Sequence, residues 1–224
     1  MENPLKDLGQ LLFNFEQKKN FKNEDYFVCS SNYYAYNLIN TWPKWEKNFI
    51  NVCGEKYSGK THLSSIFLKK FKGINIDAHS LKNFNFKDFK IHQNIVLDNF
   101  DEDIDEKLAY SLFNVLDQDN KYLIINSLVP ITEINFNLED LRSRTRNCLI
   151  AKLDKPEDDL IFALILKNFS DRQIIVDKKL IDFIIKRIDR SYSKIFEFIY
   201  KIDEISLKKK KSIDFKIIKE VLKV

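Results

Sequence analysis

The chain has 224 residues and a net charge of +4, with 44% hydrophobic and 31% charged residues. That is enough for one or two domains with a real core, and it places the chain among soluble globular proteins rather than disordered or membrane ones. No apolar run approaches the roughly 20 residues that span a bilayer, and the opening Met-Glu-Asn-Pro has no basic or apolar segment of a signal peptide, so no membrane association and a cytoplasmic location are expected. The three cysteines, Cys29, Cys53 and Cys148, and the histidines His62, His79 and His92 are scattered without ligand spacing, which argues against structural zinc or a disulfide framework.

In chain order, residues 1–20 are polar apart from Leu11, Leu12, Phe13 and Phe15, and read as a tail carrying a short linear motif. A helix is expected over 30–45, where Ser-Ser-Asn offers a cap and Tyr34, Leu38 and Ile39 share a face. Residues 49–53 form a short apolar strand pattern ending at Gly54. The spacing of Leu63, Ile66 and Phe67 predicts a helix over 62–71, closed by Gly73. Further strands are expected at 74–77, 94–98 and 122–126, with a weaker fifth at 149–153 and a helix over 105–116. Strands alternating with helices imply an α/β fold with a parallel sheet flanked by helices. After Lys155-Pro156 the pattern turns helical, over 156–168, 177–189, 191–205 and 214–222, so a small all-α domain is expected beyond 154. The lysine run 208–211 could meet nucleic-acid phosphates; a solvated loop between helices is the plainer reading.

The chemistry concentrates after the first strand. Gly54, Glu55, Lys56, Tyr57, Ser58, Gly59, Lys60 and Thr61 complete the phosphate-binding pattern Gly-x-x-x-x-Gly-Lys-Thr, and two of only four glycines fall in it. Such a loop curls its N–H groups toward phosphate oxygens, and the following helix adds its positive end. Lys60 is expected on the β- and γ-phosphates and Thr61 on Mg²⁺. Asp98 closes the third strand, where a second Mg²⁺ ligand belongs. Asn99 follows it, and an amide cannot accept a proton from water, so intrinsic hydrolysis is expected to be slow. Asn126, at the end of the fourth strand, reads either as a γ-phosphate sensor or as a strand-end cap. Arg142, Arg144 and Arg146 alternate; they suit nucleic-acid binding, a solvated face, or an arginine finger for a neighbouring nucleotide.

The order of these motifs resembles the AAA+ ATPases. Within them the chain resembles the replication initiator DnaA and, nearest, the Hda family of regulatory inactivators of DnaA. The segment Gln10-Leu11-Leu12-Phe13-Asn14-Phe15 resembles that family's sliding-clamp-binding motif, with Phe13 where an aliphatic residue is usual. Asp98-Asn99 matches a Walker B form found there. Leu-Arg-Ser-Arg resembles the stretch that carries the family's arginine finger, at Arg144, and the C-terminal stretch resembles the last lid helix, after which no helix-turn-helix domain is expected.

The resemblance implies three parts: a tail at 1–20, an AAA+ nucleotide-binding domain at 21–154 and a helical lid at 155–224. It implies ATP or ADP with Mg²⁺ as cofactors, Tyr26, Phe27 and Val28 lining the adenine pocket, and His62 beside the P-loop. The family's lid arginine aligns with Ser193, and Arg190, one turn earlier, would substitute for it. The implied partners are DnaA and the DNA polymerase III sliding clamp, with DNA reached through the clamp; self-association stays open. The implied role is negative regulation of replication initiation, by stimulating hydrolysis of DnaA-bound ATP while the chain's own turnover is slow. The alternative is a helicase-loader-like ATPase acting on nucleic acid.

Overall fold

A computed structural model describes residues 26–84, 89–172, 176–209 and 213–222. The tail and its Gln10, Leu11, Leu12, Phe13 and Phe15 motif lie outside the described residues. Five strands, β1 Phe49–Cys53, β2 Ile74–Asp77, β3 Asn94–Phe100, β4 Tyr122–Ser127 and β5 Leu149–Lys152, form one parallel sheet in the order β2-β3-β4-β1-β5. They are nearly continuous apolar runs because both faces are covered. On one face Ile50, Val52, Val96, Ile124 and Ala151 pack with Ala35 and Ile39 of helix α1, Ser30–Asn40, and with Leu63 and Phe67 of α2, Lys60–Phe71. On the other, Phe49, Ile95, Leu97, Leu123 and Ile125 meet Leu112 and Phe113 of α3, Glu106–Gln118, and Leu141 of α4, Glu139–Thr145. This alternation is the period of a strand.

The expected α/β class with a helical C-terminal part is the architecture found. The helical part comprises α5 Asp158–Asp171, α6 Lys178–Ile185, α7 Tyr192–Lys209 and α8 Phe215–Leu222. Ile161, Ile165, Ile184, Ile195, Ile199 and Ile218 form a core of its own. Among the described residues no helix is long and apolar enough to cross a membrane.

Several boundaries differ from the sequence reading. Helix α1 stops at Asn40 rather than 45. Pro43 disfavours helix at the residue before it, the Thr41 hydroxyl donates to Leu38 O at 2.7 Å, and the Trp45 indole N–H reaches the same carbonyl at 2.8 Å. Strand β3 continues past Asp98 to Phe100. Helix α4 and the 3₁₀ turns Ala78–Asn83 and Ile131–Glu133 went unread, being too short to show a period. Gly73 does close α2, and the reason is space: a Cβ there would stand 2.3 Å from the Asn94 carbonyl oxygen. Asn94 fixes that approach by donating to Phe71 O at 3.0 Å and Lys72 O at 2.9 Å.

Candidate nucleotide site

Open parallel sheets bind ligands beyond the carboxyl ends of their strands, and the P-loop sits there, between β1 and α2. Gly59 takes φ 98°, ψ 12°, in the left-handed region open to glycine, and Tyr57 follows the loop at φ 70°. A Cβ on Gly54 would lie 2.9 Å from Leu153 O, so the residue just past β5 leaves no room for one. The Lys60 amine bridges the loop, donating to Gly54 O at 2.7 Å and Glu55 O at 2.9 Å. Burial lowers its pKa, while Asp98 pulls the other way.

The Thr61 hydroxyl donates to Asp98 Oδ2 at 2.8 Å, which joins the two expected Mg²⁺ ligands across α2 and β3. Asn126 is fully buried and extends the network: its amide donates to Asp98 Oδ1 at 3.3 Å and to Ser64 Oγ at 2.9 Å. Asn99 has φ 57°, and its amide donates at 2.6 Å to Asp77 Oδ2, at the end of β2.

A cavity of about 360 Å³ opens beside the P-loop. Tyr26, Phe27 and Val28 line it together with Tyr57, Ser58 and Gly59, so the structure brings the expected base-pocket segment onto the phosphate loop. The His62 ring stands edge-on to Tyr26, at 5.2 Å between centroids. The Tyr26 hydroxyl and Ser58 Oγ are buried without a hydrogen-bond partner among the described residues. Burial pushes the Tyr26 pKa up. The sequence reading missed Leu160, Leu164 and Lys167 of α5, Tyr192 of α7, and Asn32. Asn32 Nδ2 donates to Phe27 O at 2.9 Å, and its Oδ1 accepts from Cys29 N at 3.0 Å, which shapes the 26–28 segment. Ser-Ser-Asn, read as the start of a helix, was its only signal.

Two further groups lie apart from the cavity. Arg190 pairs with Asp158 at 2.7 Å, within the helical part. Arg144 pairs with Asp117, near the end of α3, also at 2.7 Å. Arg142 pairs loosely with Glu139 at 3.6 Å, and Arg146 is exposed. The Glu55 carboxylate faces α7, accepting from the Ser191 hydroxyl and from the N–H groups of Tyr192 at 3.2 Å and Ser193 at 3.3 Å.

A P-loop after β1, an aspartate on β3 joined to the loop threonine, a polar side chain on β4 and a helical part closing over the loop define the AAA+ fold. No family model matches the chain. It is 25% identical over 245 residues to the chromosomal replication initiator protein DnaA of Borreliella afzelii, a match covering 93% of this chain and 50% of that protein. The chain thus spans about half the length of this curated relative. Domain III of the Thermotoga maritima replication initiation protein DnaA superposes with a TM-score of 0.74 at 18% identity, covering 92% of this chain and 96% of that one. AMPPCP-bound DnaA from Aquifex aeolicus gives a TM-score of 0.61 at 20% identity, over 83% of this chain and 64% of that one. Together these relate the chain to DnaA over most of its length and give it the fold of DnaA domain III.

Proposed function

We propose that this chain binds an adenine nucleotide in the P-loop cavity and uses Arg144 to stimulate hydrolysis of ATP held by DnaA, as a negative regulator of replication initiation. Its nucleotide-binding and lid domains would be 21–154 and 155–224. The base would lie between the 26–28 segment and α5, where the unpartnered Tyr26 hydroxyl and Ser58 Oγ leave polar groups for a ligand. Thr61 and Asp98 offer oxygen donors, the ligand type that Mg²⁺ takes alongside phosphate. Held there by Thr61 and Asp98, the ion would supply positive charge that offsets charge on the phosphates. Gln10, Leu11, Leu12, Phe13 and Phe15 would dock on the sliding clamp and bring the protein to DNA.

The observation that carries this reading is the place of Arg144. Leu149, where β5 begins, pairs with Ile50 near the start of β1, while Lys152 pairs with Cys53, just ahead of the P-loop. Arg144 precedes Leu149, so it stands at the opposite end of the strands from its own P-loop. Its anchor Asp117 is near the end of α3, which returns from the P-loop side. That position supports a role on a neighbour's nucleotide rather than its own. An arginine finger stabilises charge on the transferring phosphoryl group and contributes about 10³–10⁵ in rate where it completes a site.

The test follows phosphate release from labelled DnaA–ATP on clamp-loaded DNA. Arg144→Ala is expected to lose stimulation while keeping its nucleotide and its clamp binding. Full stimulation by Arg144→Ala sinks the mechanism. Strong DNA-stimulated turnover by this chain alone would favour a loader ATPase instead.

A further inference from the structure

The P-loop is tied to the helical part by a residue that phosphate binding does not require. Phosphates are gathered by loop N–H groups and by Lys60. Glu55 lies in the same loop, yet its carboxylate accepts from the Ser191 hydroxyl, Tyr192 N–H and Ser193 N–H. These amides belong to the first turn of α7, whose N–H groups have no partner inside the helix. A carboxylate there also meets the positive end of the helix dipole. Burial opposes the charge, but the donors outweigh it, and the Glu55 pKa is lowered.

Two neighbouring contacts hold the same faces together. The Tyr57 and Phe196 rings lie 4.9 Å apart, and the Tyr192 hydroxyl donates to Asp154 O at 3.1 Å. The cavity takes one wall from Tyr26 and Gly59 and the other from Leu160, Leu164 and Tyr192. Its Tyr192 wall is kept only while α7 stays against the P-loop.

We propose that Glu55 is a latch that holds the helical part closed on the P-loop and sets how long a nucleotide stays bound. This makes Glu55 a positioning residue for retention, separate from the phosphate contacts of Lys60. The proposal rests on the nucleotide-binding reading, and its two measurements separate the failures. Amide exchange without nucleotide reads the latch itself: the Tyr192 and Ser193 amides, ordinarily open at a helix start, are protected in the wild type and lose that protection in Glu55→Ala. Stopped-flow release of a fluorescent ADP analogue reads the consequence. Release is expected to be at least about tenfold faster in Glu55→Ala, the scale of one hydrogen bond to a charged group, with the association rate within about twofold of wild type.

Glu55→Gln keeps the shape of the side chain and removes its charge, so it shows the same direction of change should the alanine variant fail to fold. Unchanged protection, or release as slow as wild type from a folded variant, overturns the proposal. Should wild type and Lys60→Ala alike hold no nucleotide, the binding reading falls and the retention role with it, while amide exchange still decides the latch.

Discussion

At the scale of single residues, Lys60 braces the loop, since its amine bonds Gly54 O and Glu55 O. Under the proposed function it also carries charge toward a phosphate. Lys60→Ala is therefore expected to weaken ATP and ADP binding at least about tenfold, since a hydrogen bond to a charged group contributes about 1.5–3 kcal/mol. Calorimetric titration decides this, and equal affinities would remove the P-loop from the site. The P-loop was legible because its residues are contiguous and the chain is poor in glycine. Asn51 was not legible. It is fully buried in β1, donates to Ile125 O at 3.0 Å and Ser127 Oγ at 2.8 Å, and accepts from Ile131 N at 2.8 Å, so it pins the turn after β4. Its partner Ile125 is 74 residues away, and the 136 between Glu55 and Ser191 hid that contact as well. Local spacing carries no trace of pairs formed by tertiary packing.

At the scale of elements, α3 holds α4 at both ends. Near its start the Glu106 carboxylate accepts from Asn137 N at 2.9 Å and Leu138 N at 2.6 Å, and near its end Asp117 pairs with Arg144. The Asn137 backbone bond, working against a little burial, lowers the Glu106 pKa with help from Leu138 and Arg142. A carboxylate lowered in the folded state adds stability above its unfolded pKa, and that stability is lost as pH falls through the folded value. Glu106→Gln is thus expected to melt below wild type at pH 7, with the gap narrowing below about pH 4, where carboxylates protonate. Paired thermal melts across pH read the difference, and the other acids, Glu55 among them, are common to both proteins and cancel. A gap that stays constant with pH would mean that shape rather than charge makes the contact. The strands and long helices were legible from their periods, whereas α4 was not. It has seven residues, and its ends are set by Glu106 and Asp117 on another helix.

At the scale of the whole molecule, the two ends of the sheet carry different groups. The carboxyl ends carry the P-loop, Asp98 and Asn126, with α5 and α7 facing the P-loop. The opposite end carries Arg144 on α4. Whether the Asp117 tether or the arginine's own charge matters more follows from magnitudes. Both partners are more than a third exposed, at 37% for Arg144 and 47% for Asp117. An exposed pair of this kind contributes about 0–1 kcal/mol, which is at most about fivefold in a rate or an equilibrium. An arginine that completes a phosphoryl-transfer site contributes about a thousandfold or more. Asp117→Ala is therefore expected to change stability by less than about 1 kcal/mol and stimulation of DnaA–ATP hydrolysis by no more than about fivefold. Arg144→Lys keeps the charge but lacks the planar fork, and is expected to recover only part of the activity. The decisive comparison sets Asp117→Ala beside Arg144→Ala in the same phosphate-release assay, with denaturant melts for stability. A loss from Asp117→Ala as deep as that from Arg144→Ala, in a protein of unchanged stability, would mean that the α3–α4 clasp, and not the guanidinium alone, aims the finger.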